Sequence, residues 1–482
     1  MRPSLLIRLA LVVLLAAPPL AAQQALTLTQ AIALAQSEGY QARSAEATRD
    51  AAVYRERQFH SGLLPQLSLN GTVPAYNRSI IEVLQPDGST LFRPQDQTNA
   101  NLNVRLSQRL PTGGDLFVQS TLSRFKVSGG SAFETWSSTP VTIGLRQDLF
   151  RPNTLKWDRR EQDLRGELAE RQYREAREDI AVTVTGLYFD AYSARVSLQN
   201  AETNVGVNDT LYTLNKGRFE VGKIGENDLL QSELALLRAR NALDGSRLQY
   251  DRAMASLRLA LNLPIDAAIE LTVPTDIPVV EADTAVAVRE AMANRAAVRD
   301  VALQRTQAER SVNAARLNTG FAATVQASYG YNATGTDFRT AYDQLQEARQ
   351  FSLGVQLPLW QWGARGEGVA AARADQERVV AQTEATIEQT AQEAHFAALE
   401  LAQARRSLEI SAKADTVAGK RFEVAYNRYV IGRIDIDNLY VAQSEKDQAL
   451  NAYVQALRGY WQAYYRLRRV TLYDFATGER IR

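Results

Sequence analysis

Apolar positions along this chain follow two different periods. In two long stretches they recur every seven residues: Val184, Ala191, Leu198, Val205, Tyr212 and Phe219 in one, Val380, Ile387, Ala394, Leu401 and Leu408 in the other. Such a sustained period keeps one stripe of a helix against a partner helix. From Leu155 to Phe219 no Pro interrupts, and Gly occurs only at 166, 186, 206 and 217. About 65 residues at 1.5 Å each make close to 100 Å of helix, far beyond the ordinary length of about 11–12 residues. Shorter returning helices are predicted over Asp228 to Leu263 and Asp437 to Leu472. Ala, Tyr and Thr intrude on the seams, and charges such as Arg165, Glu167, Glu170 and Arg171 spread around the helix. Several helices side by side, as a hollow cylinder, fit this better than a two-stranded coiled coil.

Between the helices the period is two. Leu67, Leu69, Gly71 and Val73 alternate with Gln66, Ser68, Asn70 and Thr72, and Leu102, Val104 and Leu106 with Asn101, Asn103 and Arg105. Val325, Ala327, Tyr329 and Tyr331 alternate with Gln326, Ser328 and Gly330, and Phe351, Leu353, Val355 and Leu357 with Ser352, Gly354 and Gln356. These are strands with one apolar and one polar face. In an exported chain that pattern suits a membrane barrel strand, lipid on one side and water on the other. One chain offers too few strands to close such a barrel, and an open edge in lipid leaves backbone groups unpaired. Several chains must then share it. Trp136, Trp157, Trp360 and Trp362 fall near strand ends, suited either to anchoring at the membrane interface or to packing at the helix–strand junction.

The chain also repeats itself. Arg218-Phe219-Glu220-Val221-Gly222-Lys223-Ile224 matches Arg428-Tyr429-Val430-Ile431-Gly432-Arg433-Ile434 at an offset of 210 residues. Each half opens with short helical patterns (Leu26 to Ser61, Thr284 to Asn318), continues into alternating strands, and enters a long helix that turns at Gly222 or Gly432 and returns. The boundaries predicted are a first repeat over 23–272, with strands about 65–150 and long helices about 153–263, and a second over 273–482, with strands about 321–362 and long helices about 363–472. A Pro-marked linker, Pro264 to Pro278, joins them.

Composition narrows the functions. Lys plus Arg number 55 against 54 Asp plus Glu, which gives no footprint for nucleic acid. There is no Cys, so disulfides, thiolate metal sites and thiol nucleophiles are excluded, and the two His residues, His60 and His395, read as helix residues. No G-x-x-x-x-G-K-[ST] occurs, and no carboxylate pair sits in a Gly-rich loop or strand-end setting, so neither a nucleotide site nor an exported hydrolase is indicated. No enzyme activity, cofactor or metal is expected. Arg2 and Arg8, the apolar run Leu9 to Ala17 and then Pro18 to Ala22 have the order of a secretory signal peptide cleaved after Ala22, too short to span a bilayer.

Together these marks resemble the TolC family of outer-membrane efflux proteins. The resemblance covers the mature chain. Its local marks are the two Arg-[Tyr/Phe]-x-x-Gly turns at Arg218 to Gly222 and Arg428 to Gly432, and Pro358-Leu359-Trp360-Gln361-Trp362-Gly363, similar to that family's passage from strand into long helix; Gln147-Asp148-Leu149-Phe150 is a poorer counterpart. The resemblance implies a mainly α fold with a β-barrel: a trimeric channel with a long α-helical periplasmic barrel, a transmembrane β-barrel of twelve strands, and a collar built here from Leu26 to about Tyr40, residues 264–295 and the C-terminal tail. It implies passive conduction in a tripartite efflux or type I secretion system. The partners implied are outer-membrane lipid, a periplasmic membrane-fusion adaptor and an inner-membrane pump. The alternative is that the chain is itself a periplasmic adaptor or coiled-coil scaffold, which normally has one helical hairpin and no barrel strands.

Carried over by the resemblance, the adaptor-docking tips are Arg218, Phe219, Val221, Gly222, Lys223 and Ile224, and Arg428, Tyr429, Ile431, Gly432, Arg433 and Ile434. In the gate, Asp228 matches a latch aspartate and Tyr429 a latch tyrosine. The chain departs from the family where the latch arginine falls on Ile434 and the acidic ring on Asn438 and Val441; Asp435 and Asp437 are the substitutes that could supply charge. It departs again in the first half, which runs 85 residues from Pro65 to Leu149 and contains the turn Leu110-Pro111-Thr112-Gly113-Gly114-Asp115. An extra barrel hairpin, a periplasmic flap and an elaborated surface loop all accommodate that excess.

Overall fold

The computed structural model describes residues 24–129, 132–272, 277–278 and 280–481; the segment read as a signal peptide, and 273–276 of the linker, lie outside these. The described elements run β1 (Gln24–Leu26), α1 (Leu28–Glu38), α2 (Tyr40–Ser61), β2 (Gln66–Leu84), β3 (Thr90–Arg109), β4 (Asp115–Ser128), β5 (Phe133–Leu149), α3 (Thr154–Glu220), α4 (Glu226–Ala260), β6 (Ile269–Leu271), α5 (Thr284–Asn294), α6 (Ala296–Asn318), β7 (Ala322–Gly335), β8 (Gln346–Gln356), α7 (Ala364–Val430), α8 (Ile436–Thr471), β9 (Tyr473–Asp474) and β10 (Glu479–Arg480). The duplication is metrical. Helices α3 and α7 are each 67 residues long, and α4 and α8 are 35 and 36.

Two elements differ from the sequence reading. The second-repeat strands stop at Gln356, not 362: Pro358 cannot extend a ladder, and Trp362 and Gly363 take positive φ (50° and 85°) before α7 begins. The seven-residue stripe of α7 is buried at Ala394, Leu401 and Leu408, as the spacing predicts. In α3 the stripe is buried at Val184 and Ala191, but beyond that the buried series is Ala194, Ala201, Asn208 and Asn215, one turn away from Leu198, Val205, Tyr212 and Phe219. Small and amide side chains let neighbouring helices come close there, a preference that apolar periodicity does not register.

The described residues divide into two compact units that interleave the two repeats. The first takes the described residues within Met1–Glu46, Arg174–Glu290 and Ala394–Arg482. In it β1 pairs in parallel with β6, and the Tyr188 hydroxyl, with its one proton, lies within hydrogen-bond reach of the carbonyls of both Leu26 (2.8 Å) and Thr272, fastening this short sheet to α3. Tyr460, Trp461, Tyr464 and Tyr465 on α8 make a chain of aromatic contacts, and Tyr460 donates to the Pro278 carbonyl. Helix α8 also lies along α3, through Arg458–Asp190 (2.6 Å), Asn204–Asp447 (2.8 Å) and Gln443–Asn204 (2.8 Å).

The second unit takes Ala47–Tyr173 and Ala291–Glu393 and contains one antiparallel sheet of six strands, order β2-β3-β4-β5-β7-β8. Strands β2 to β5 form a meander and β7 with β8 a hairpin; β5 and β7, separated in the chain by four helices and β6, pair to join the two. Leu168 packs on Ala296 and Leu303, and Arg310 bridges Asp158 (2.9 Å) and Glu161 (2.8 Å), tying α6 to α3 beside it.

Candidate channel wall and helix-turn tips

The register of the six strands stacks like side chains across the whole sheet. Leu69 stands opposite Val104, Leu106 opposite Val118, Val118 opposite Ile143, Ile143 opposite Tyr329, and Val325 opposite Leu353. All are on one face, and Leu67, Leu69, Ile143, Phe351, Leu353 and Val355 on it are more than half exposed. A soluble sheet would bury such a band against a second layer; here it faces outward as lipid-facing strands do.

The opposite face is polar and largely uncharged. Asn103 lies between Asn70 and Thr121 and donates to the Thr121 hydroxyl at 2.7 Å, and Ser123 lies between Asn101 and Ser137. Apolar contacts on it include Phe117 over Gly144, where a Cβ would sit 2.2 Å from the ring, and Phe125 with Phe133; Arg105 covers the Phe117 ring at 4.1 Å and reaches Asp115 at 3.1 Å. Aromatic rings mark both ends of the apolar band. Trp136, Phe338 and Tyr342 are in contact at one end, and Phe150 with Phe321 and Trp360 with Trp362 at the other. Of the tryptophans singled out in the sequence, Trp136, Trp360 and Trp362 thus sit at girdle positions, while Trp157 lies inside α3.

The two helix turns are copies of one motif. Lys223 N–H donates to the Arg218 carbonyl (2.8 Å) and Gly222 N–H to that of Phe219 (2.9 Å); Arg433 and Gly432 do the same to Arg428 and Tyr429 (2.9 Å each). This is a Schellman cap, which needs a left-handed residue, and Gly222 and Gly432 supply φ of 71° and 75°. The caps leave Val221 and Ile431 68% and 64% exposed, with Arg428, Lys223 and Arg433 exposed beside them. Phe219 is also exposed, Ile224 is partly covered, and Ile434 packs inward.

The gate residues read from sequence have these surroundings in the folded chain. Tyr429 is 5% exposed, in a core with Leu211, Ile436 and Leu439, and its hydroxyl donates to Asn215 at 2.7 Å, not to Asp228. Arg218 covers the Tyr429 ring at 5.2 Å and donates to the Tyr429 and Val430 carbonyls (3.3 and 3.2 Å), capping the end of α7. Asp228 is in the first turn of α4 and Asp437 in that of α8, where a negative charge favours the helix. Asp435 is the residue before α8; Asp435, Asp437 and Asn438 are exposed. Asp437 accepts from Gln231 at 2.6 Å, a link between α8 and α4. Asn215 and Gln231 were not legible as functional positions, since polar residues on a long helix are ordinarily solvated. Burial, with Tyr429 and Asp437 nearby, pushes the Tyr440 hydroxyl up to about 12.

Comparison with known proteins extends these observations. A family model described as outer membrane efflux protein matches residues 31–263 and 287–471. Among solved structures, the outer membrane channel CmeC of Campylobacter jejuni superposes with a TM-score of 0.68 at 15% identity, covering 94% of this chain and 86% of that one. The outer membrane protein VceC of Vibrio cholerae gives 0.65 at 15% identity, covering 93% and 96%. The open-state MtrE outer membrane channel of Neisseria gonorrhoeae gives 0.60 at 14%, covering 92% and 88%. At such identities the likeness is one of fold. The comparison with curated proteins returned no match.

Proposed function

This chain belongs to the outer membrane efflux protein family and is an outer-membrane efflux channel; from that premise we propose that it works as a homotrimeric exit duct, exported by a signal peptide cleaved after Ala22. The observation that carries the trimer is the sheet. It has an apolar outer face and two unpaired edges, β2 and β8. An open edge in lipid leaves backbone groups unsatisfied at several kcal/mol each, so copies must close the ring. The family match leaves the alternative of a periplasmic adaptor or scaffold without support.

Conduction is passive, and no chemistry is asked of the chain. Energy comes from an inner-membrane pump, coupled through a periplasmic adaptor that docks at the turns Arg218–Ile224 and Arg428–Ile434. What supports docking there is the pair of exposed apolar side chains, Val221 and Ile431, each flanked by cations. Asp228, Asp435, Asp437 and Asn438 are the polar residues at the start of the returning helices that a cargo ion would meet at the gate. Opening is a population shift: the adaptor binds the dilated tip better than the closed one. Because the chain has no Cys, single Val221→Cys and Ile431→Cys variants carry a thiol cross-linker to one site only. Covalent adducts with the adaptor from both, and none from Leu67→Cys, are expected. Light scattering of the detergent-solubilised protein should give three chains; a monomer would refute the duct.

A further inference from the structure

The two repeats are not equal across the sheet. Helices α2 and α6 begin at 40 and 296, an offset of 256, whereas α3 and α7 begin at 154 and 364, an offset of 210. The difference, 46 residues, is one two-stranded hairpin with its turns, and the first repeat accordingly gives four strands where the second gives two.

The additional strands are built into the wall. Strand β3 is laddered to β2 and β4, and β4 to β3 and β5, along most of their lengths. The apolar band crosses them through Leu102, Val104 and Leu106, then Leu116, Val118 and Leu122, with Ser120 opposite Val104 as a polar interruption. Their joining turn is fixed to the start of α3. Asn153 donates to the Pro111 carbonyl (2.8 Å) while its own oxygen caps the Lys156 N–H (3.0 Å), and Thr112 donates to Gln147 (2.6 Å). A flap or a loose surface loop would show neither a double ladder nor a lipid face.

We propose that three copies close edge to edge, β2 of one on β8 of the next, into an eighteen-stranded barrel of porin width, in place of the twelve strands that four per chain would give. The inference rests on the trimeric reading above. The register supports closure. One line of paired residues crosses the sheet as Leu67, Leu106, Val118, Ile143, Tyr329 and Arg349. Leu67, next to the start of β2, stands at the same end of the sheet as Val355, next to the end of β8 and six residues beyond Arg349. Joining Leu67 of the next copy to Val355 staggers the ring by six residues per copy. With strands about 4.8 Å apart and about 3.3 Å per residue, that stagger tilts them by about 35°, within the range of membrane barrels. At that tilt eighteen strands enclose a backbone diameter of about 34 Å, against about 23 Å for twelve. The inner face is mainly uncharged and polar, with the charges Arg105, Arg109, Asp115, Arg146 and Asp148 gathered towards the end of the sheet where β2 begins and β8 ends.

Cysteine pairs in this Cys-free chain test the wall. Leu67→Cys with Val355→Cys, and in the same register Leu69→Cys with Leu353→Cys, would join β2 to the neighbour's β8; Leu116→Cys with Val355→Cys would join β4 to β8, as a twelve-stranded ring would require. Under mild oxidation of outer membranes the first two pairs are expected to give covalent dimers and trimers, the third pair and all single variants none. Linkage through Leu116 overturns the proposal. So does linkage through no pair in a protein that light scattering shows to be trimeric. A monomer by light scattering instead overturns the trimeric reading itself.

Discussion

Val104→Arg and Asn103→Arg sit next to each other on β3 and, if the outer face is in lipid, differ only in which solvent meets the new charge. Val104 is in the middle of the apolar band, opposite Leu69 and Ser120; Asn103 is on the polar face, opposite Asn70 and Thr121. An arginine on the lipid face near the bilayer midplane costs about 2–4 kcal/mol. At about 1.4 kcal/mol per factor of ten, the folding equilibrium in membranes should drop roughly 30- to 700-fold. Asn103→Arg forfeits the 2.7 Å bond to Thr121, about 0.5–1.5 kcal/mol at most, since both partners are left facing water. The assay is folding into lipid vesicles with a urea titration read by tryptophan emission, alongside yield in the outer membrane. Equal losses for the two variants, or a larger loss for Asn103→Arg, would refute the assignment of the faces.

Tyr429→Phe removes the hydroxyl that donates to Asn215 in a buried site, so it should lower stability by about 1 kcal/mol, while Asp228→Ala, on a helix end, should change the melting temperature much less; the reverse order would refute the core placement of the Tyr429 hydroxyl. Gly222→Ala and Gly432→Ala each place a Cβ in open space at φ of 71° and 75°, which isolates left-handed strain of roughly 1–2 kcal/mol per site, visible as faster amide exchange confined to the two turns. Glu178 is held above the usual carboxylate range, chiefly by burial, although Arg468 lies 3.3 Å away. A raised folded-state value means its contribution is fully present below the unfolded value of about 4.3 and lost as pH rises through the folded one. Glu178→Gln should therefore gain on the wild type in melting temperature between pH 4 and 7, and a trend of the opposite sign would show that the ion pair, not burial, governs the site.

Much of this molecule is written in one dimension because its elements are long and its periods are pure. The 67-residue helices α3 and α7, their returns and the two Gly turns follow from local rules: a seven-residue stripe, the absence of Pro, and a residue able to take positive φ. Alternation fixed which strand residues share a face, and the 210-residue offset exposed the duplication. Tertiary structure decided what depends on neighbours. Whether the segment around Leu110–Asp115 is wall, flap or loop turned on the ladders β3 makes with β2 and β4, contacts that no local pattern encodes. The burial of Asn208 and Asn215 in place of Tyr212 and Phe219 reflects how closely neighbouring helices approach, which apolar spacing cannot report. Tyr429, matched by resemblance to a latch tyrosine, is buried because Leu211, Ile436 and Leu439 pack on it and α3 brings Asn215 within hydrogen-bond reach. Sequence sets the period of each element; the partner for each face is chosen only when the elements meet, because burial and hydrogen-bond satisfaction are properties of pairs.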